Sequence, residues 1–306
     1  MKYIQIAGTD LQVSNIVMGN MRLKQLSLSE AETLIRTAME EKINFFDHAD
    51  IYGGGECESY FSEAIGMNAS LREQMILQSK CGIRKGFFDF SKEHIIASTE
   101  GILKRLNTDY LDILLLHRPD ALVEPEEVAE AFDELEKSGK VRHFGVSNHT
   151  PMQTELLQKH LSQKLIVNQL QFSIAHTPMI DSGIAFNMNV DQSVNRDSGI
   201  LDYCRLNGIT VQAWSPFQKG FFNGPFLGDL EEYAELNKLI DSLADKYNVA
   251  NTAIAVAWIT RHPANIQVVT GTMNLGRLKD CCQGSDIPLT REEWYGIYKA
   301  AGNILP

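Results

Sequence analysis

Positive charge is scarce in this sequence. Its 306 residues hold 28 Lys and Arg against 39 Asp and Glu, a formal net charge of −11. A surface of that sign argues against nucleic acid or an anionic membrane as a general partner. It does not exclude a small phosphorylated ligand, which needs only one or two local cations. Long apolar runs are also missing: "LDILLLH" (111–117) has the length of a strand, far below the roughly 20 residues of a membrane span. The opening "MKYIQIAGTDLQVS" has no cationic region followed by an apolar one, so no cleaved signal peptide is expected and the reading is cytoplasmic. Cysteine is sparse and unpaired in pattern. Cys57, Cys81, Cys204, Cys281 and Cys282 are odd in number and form no C-x-x-C, which suits a reduced compartment. Such thiols read first as small hydrophobes; Cys57 and Cys81 fall near the candidate site, which leaves a redox role open.

What is present is alternation. Apolar residues make up 44% of the chain, enough for a full globular core. Short β-rich runs occur at 15–19, 43–47, 75–80, 111–117, 141–148, 165–169, 209–215 and 266–272. Between them lie amphipathic segments: one opens near Ser29, another near Ser91, and a third, "EEVAEAFDELEKSGK", ends in Gly139. Eight such runs without an internal linker predict one α/β domain over 1–306, a parallel (β/α)8 barrel. An open sheet is the competing arrangement, but no G-x-G-x-x-G follows the first run. Residues 2–13 fit a hairpin ahead of the barrel. "TREEWYGIYKAAG" fits an extra C-terminal helix with Thr290 and Glu293 as a capping box. Residues 173–196 form a long connection without clear period, and connections that long are usually functional or mobile.

The stretch "FFDHADIYGGGE" (45–56) poses a chemical choice. Asp47, His48 and Asp50 could ligate a metal; alternatively, a strand end presents one acid and one phenol for proton chemistry. A barrel gathers its active site at the C-terminal ends of its strands. Those ends carry Asn20 (with neighbours Gly19 and Met21), Asp47, Lys80, His117, Ser147 with Asn148, Gln169, Ser215 and Thr272. One polar strand end means little, since strands leave the core there. Asp, Lys and His on three consecutive strands are harder to dismiss.

Asp47 and Lys80 on neighbouring strands can pair, and Tyr52 follows Asp47 in the same loop. A phenol titrates near 10, and a nearby ammonium is expected to lower that value. Tyr52 would then act as general acid, with His117 orienting a carbonyl oxygen or helping to relay its proton. Ser147, Asn148 and Gln169 offer donors and acceptors for a carboxamide, and Trp214 offers a flat face for a nicotinamide ring. Thr272 and Arg277 in "GTMNLGR" stand where a helix begins, a natural place for a phosphate.

In order along the chain, "FFDHADIYG", "SKCG", "YLDILLLHRPD", "GKVRHFGVSN", "NQLQFS", "AWSPF" and "GTMNLGRLKD" resemble the successive signatures of the aldo-keto reductases. The resemblance spans about Asp47 to Asp280 and includes the family's Asp–Tyr spacing of five. It implies a catalytic tetrad of Asp47, Tyr52, Lys80 and His117, with Tyr52 as proton donor. It also implies that Ser147, Asn148 and Gln169 hold the nicotinamide carboxamide. Trp214 would stack on the ring where many members use tyrosine, and Ser215, Pro216 and Phe217 would begin the pyrophosphate loop. The adenosine end departs from the pattern. A basic residue usual in the family is here Gly271, and a Glu-Asn pair appears as Asp280-Cys281. Arg277 is retained, so NADPH is expected over NADH. The "HADIYGGGE" loop resembles a bacterial branch whose physiological substrates are generally unassigned.

The expected activity is therefore NADPH-dependent reduction of a small aldehyde or ketone to an alcohol. The alternative is a nicotinamide-nucleotide-sensing subunit with slow turnover, for which the sequence shows no partner-binding extension. The metal reading is the weakest: no H-x-H occurs at the first strand, and Lys80 would sit awkwardly beside a cation. His48 reads as a scaffold residue, His176 as a weak candidate for reaching substrate, and Met179, Phe186 and Met188 as packing or pocket wall. The three glycines 53–55 read as a flexible rim beside the substrate. Nothing in the sequence specifies an oligomeric state.

Overall fold

Residues 1–306 are all described by a computed structural model. The eight strands of the closed barrel are β1 Ile16–Gly19, β2 Phe45–Asp47, β3 Ile76–Cys81 and β4 Leu111–Leu116, then β5 Val141–Ser147, β6 Leu165–Gln171, β7 Thr210–Trp214 and β8 Gln267–Thr270. Every neighbouring pair is parallel, and Val268 opposite Ile16 closes the ring. Strands Tyr3–Gln5 and Gln12–Ser14 form the expected antiparallel hairpin, and a helix at Arg291–Ala300 follows the barrel. The chain is thus the predicted (β/α)8 barrel.

Period-two alternation sorts each strand's side chains. Ile16, Met18, Phe46, Leu77, Leu114, Leu116, Val211 and Val268 pack outward in one large core with the helices. Val17, Phe45, Ile113, Leu115, Val167 and Val269 join Ile4, Ile6, Leu11 and Val13 of the hairpin in a second core. The hairpin therefore closes the floor of the barrel. Gly145 keeps the interior from being overfilled: a Cβ there would stand 2.7 Å from Leu115 Cδ2 and 2.7 Å from the Val167 carbonyl. By the same parity Asp47, Lys80, His117, Ser147, Gln169 and Trp214 face inward at the opposite end.

Helix starts follow the capping rules with one shift. Ser91 caps Lys92–Leu106, and Thr290 forms the expected capping box with Glu293. The first helix, Leu28–Glu40, is capped by Ser27 rather than Ser29, because Ser27 reaches the Glu30 amide while Glu30 answers the Ser27 amide. The long connection is partly ordered into a helix at Pro178–Ile184 and a 3-10 turn at Asp191–Ser193. Gln192 ties it to the C-terminal segment through the Tyr298 hydroxyl and the Ile304 backbone. Met179 packs in the core and Phe186 is exposed, so these two do not share a pocket wall.

Candidate active site

Lys80 organises the site. Its ammonium donates to Asp47 Oδ2 at 2.7 Å, to the His48 carbonyl at 2.7 Å and to the Tyr52 hydroxyl at 3.1 Å. That is all three of its N–H bonds. Burial alone would lower the Lys80 value, but Asp47 and Tyr52 together push it above its ordinary value. Tyr52 differs from the expectation of a lowered phenol. Burial raises it more than Lys80 lowers it, so it lies above the ordinary value of 10.0 and remains a protonated donor. The His117 ring stands edge-on to Tyr52, with centroids 6.0 Å apart. Burial, Lys80 and Arg118 hold it well below the usual imidazole range, so it is neutral.

The metal alternative separates in space. Asp47 is engaged by Lys80, Gln78 and Gln169. His48 packs edge-on against Phe61 and lies 3.3 Å from Asn20 Nδ2, while burial and Lys80 pull its value down to about 3. Asp50 lies with Glu58 and Arg105, and burial followed by Glu58 raises it to about 7. No group of three or more His, Cys, Asp or Glu stands where it could hold a metal. The glycines 53–55 form a tight turn, all with positive φ; a Cβ on Gly53 would stand 2.6 Å from Cys57 Sγ. They link Tyr52 directly to the helix Cys57–Ile65.

The residues expected to meet a nicotinamide also converge. Ser147 Oγ donates to the Gln169 carbonyl and accepts from Asn148 Nδ2, both at 2.8 Å. Asn148, at φ +61°, accepts from Trp214 Nε1 at 3.0 Å and so fixes the indole plane. The Gln169 nitrogen donates to Asp47 Oδ1 and to Gln212 Oε1, both at 3.0 Å, and its oxygen meets no protein donor. That free acceptor is what the amide nitrogen of a carboxamide requires. At the far side Asn274 caps Leu275–Gln283 by accepting from the Arg277 amide, and Thr272 Oγ accepts from the Asn274 amide at 3.2 Å. A capped helix start with Arg277 in its first turn suits a phosphate. The donor set and geometry therefore fit a nicotinamide dinucleotide.

Three features escaped the sequence reading. Arg22 reaches across from the loop after β1 and donates to the Gly271 carbonyl at 2.7 Å, beside the position that lacks the family's basic residue. Arg118 lays its guanidinium 5.6 Å from the Trp214 ring and 5.7 Å from the Phe221 ring at the mouth. Gln78, Gln212 and Gln267 are buried beneath Asp47. Their even spacing from the strand-end residues, Gln78 to Lys80 and Gln212 to Trp214, was the available signal that they share the inward face.

The aldo/keto reductase family model matches residues 15–301. This chain belongs to that family. It is 36% identical over 313 residues to the "Uncharacterized oxidoreductase YcsN" of Bacillus subtilis (strain 168), covering 98% of both chains. It is 32% identical over 312 residues to the "6-dehydroglucose reductase" of Agrobacterium fabrum, covering 97% of both. The crystal structure of the thermostable aldo-keto reductase Tm1743 with the inhibitor epalrestat superposes with a TM-score of 0.76 at 22% identity, over 98% of this chain and all of that one. The protein is an oxidoreductase of the aldo-keto reductase family, and none of its helices is long and apolar enough to cross a membrane.

Proposed function

We propose that the protein reduces small aldehydes or ketones to alcohols with NADPH, and that Tyr52 protonates the carbonyl oxygen. The observation carrying this reading is the Tyr52 hydroxyl held by Lys80 at 3.1 Å, with Lys80 held in turn by Asp47 at 2.7 Å. Bound NADPH would supply a hydride with its electron pair to the carbonyl carbon. As the carbonyl π pair moves onto oxygen, Tyr52 gives that oxygen its proton, and Lys80 stabilises the phenolate left behind. Neutral His117 retains one N–H to orient the carbonyl without competing as an acid.

Ser147, Asn148 and Gln169 would hold the carboxamide, and Trp214 would support the ring. Gly19, Asn20, Met21, Ser215, Pro216 and Phe217 would line the pyrophosphate path. Gly271, Thr272, Arg277 and Asp280 would surround the adenosine. Arg22 adds a second guanidinium there, which favours the 2′-phosphate of NADPH. Arg118 at the mouth offers donors to polar groups on the substrate. The Agrobacterium relative's name makes hydroxylated, sugar-like aldehydes the first class to try.

The test is a fluorescence titration with NADPH and NADH, followed by a carbonyl panel assayed with wild type and Tyr52→Phe. Binding retained with turnover lost in Tyr52→Phe supports the reading. Unaltered turnover sinks the proton-donor role.

A further inference from the structure

Beneath the tetrad the barrel holds a polar layer where hydrophobes usually pack. Gln78, Gln212 and Gln267 are fully buried and Gln169 is 3% exposed. Gln78 Nε2 donates to Asp47 Oδ1 at 2.7 Å and to Gln212 Oε1 at 2.8 Å. Gln169 Nε2 makes the same two contacts, each at 3.0 Å. Gln212 Nε2 donates to Gln78 Oε1 at 3.2 Å and to Gln267 Oε1 at 2.9 Å. Gln267 Nε2 donates to the Ser14 carbonyl at 2.8 Å.

The two ends of this chain are acceptor-only groups: a carboxylate above and a backbone carbonyl below. Starting from Ser14, Gln267 must turn its nitrogen down and its oxygen toward Gln212. Gln212 must then donate to Gln267 and present its own oxygen to Gln78 and Gln169. Those two must present nitrogen to Gln212, and the same nitrogens serve Asp47. Starting from Asp47 gives the same answer. Rotating any one amide by 180° would set like groups against each other, a costly arrangement where no water can repair it.

We propose that Gln78 and Gln212 are positioning residues: they fix Asp47 Oδ1 and lock the Gln169 amide with its oxygen toward the nicotinamide carboxamide. The inference rests on the reductase reading above. It explains how one carboxylate serves two tasks, with Oδ2 on Lys80 and Oδ1 on the glutamine layer. It also links the cofactor-facing amide to the proton-donor line through a single oxygen, Asp47 Oδ1.

The experiment compares wild type, Gln212→Leu, Gln78→Leu and Gln78→Glu for thermal unfolding, NADPH affinity by fluorescence and steady-state reduction. Gln212→Leu removes the oxygen that pins Gln169, so the NADPH Kd should rise and kcat/KM should fall about 10- to 100-fold, the equivalent of leaving one buried amide donor without its acceptor. Gln78→Leu, which touches Asp47 but not Gln169, should lower kcat with less effect on Kd. Gln78→Glu supplies a readout that packing alone does not move. When protonated, its O–H can replace the lost donor to Asp47. When ionised, it repels Asp47, with Lys80 and, through it, Tyr52 as the other ionisable groups in contact. Its kcat/KM should therefore gain a descending limb within about pH 6 to 9, the range over which wild type stays level.

Folded leucine variants with wild-type Kd and kcat, or a Gln78→Glu profile parallel to wild type, would overturn the proposal. So would loss of folding in both leucine variants together with an unchanged Gln78→Glu profile. A wild type that neither binds nor oxidises NADPH would sink the reductase reading itself, and this inference with it, a result distinct from active variants beside an active wild type.

Discussion

Lys80 Nζ and Asp47 Oδ2 stand 2.7 Å apart with side chains no more than 1% exposed, in the interior of the barrel. A buried pair of this kind adds little net stability against a hydrophobic replacement, but losing one partner leaves the other charge stranded. Lys80→Met should therefore destabilise the fold by about 3–5 kcal/mol, because the Asp47 charge keeps only neutral donors. Urea unfolding of Lys80→Met beside Asp47→Asn/Lys80→Met measures this. The double variant, without the stranded carboxylate, should recover part of the loss.

The protonation states predict an unusually flat pH–rate profile. With Tyr52 as the proton donor proposed above, reduction would need its proton, and burial keeps that phenol above 10.0. His117 lies well below 6.5 through burial, Lys80 and Arg118, so it does not change charge near neutrality. The kcat for reduction should stay level between about pH 6 and 9 and fall only as the phenol ionises. A limb centred near 6.5 that disappears in His117→Gln would contradict the neutral histidine.

The barrel and the convergence of Asp47, Lys80 and His117 were legible because both depend on patterns local to a strand. Asp47, Lys80 and His117 close three consecutive apolar runs, and each strand's alternation decides which way they face. The chemistry of Tyr52 was harder to read. Its spacing from Asp47 was visible, but whether Lys80 or burial dominates its proton affinity depends on how the loop packs. Arg22 and the glutamines were missed for a related reason. Arg22 matters through the Gly271 carbonyl, almost 250 positions away, and a glutamine within a strand has no significance until its partners on three other strands are known.

Asp50 makes stability depend on pH in a definite direction. Burial and Glu58 raise its folded value from 3.8 to about 7. Below about pH 4 both folded and unfolded chains carry the proton; between about 4 and 7 only the folded chain does. This contribution is thus fully present at low pH and is lost as pH rises to 7, by up to about 4 kcal/mol for a shift of roughly three units. His48, pulled down to about 3 by burial and Lys80, works in the opposite sense, losing stability as pH falls from 6.5. Wild type and Asp50→Asn share His48, so their difference isolates Asp50. Denaturation at pH 4.5 and pH 8 should show Asp50→Asn gaining on wild type at the higher pH. A pH-independent difference would contradict the raised carboxyl.

Arg22 offers a test of cofactor choice that separates from the chemistry. Its Nη2 lies on the Gly271 carbonyl at 2.7 Å, and a Cβ added at Gly271 would meet that same nitrogen at 3.4 Å, an ordinary contact. The guanidinium therefore occupies the space into which a side chain at 271 would project. If it serves the 2′-phosphate together with Arg277, Arg22→Ala should raise the NADPH Kd about 10-fold, near 1.4 kcal/mol, and change NADH far less. The effect should shrink as ionic strength rises, since the site is exposed. Gly271→Lys placed in the Arg22→Ala background should restore much of the NADPH affinity by returning a cation to the same space. Fluorescence titration of the three proteins with both dinucleotides decides it: equal losses for NADPH and NADH, or no recovery with Lys at 271, would assign Arg22 to the pyrophosphate or to the loop alone.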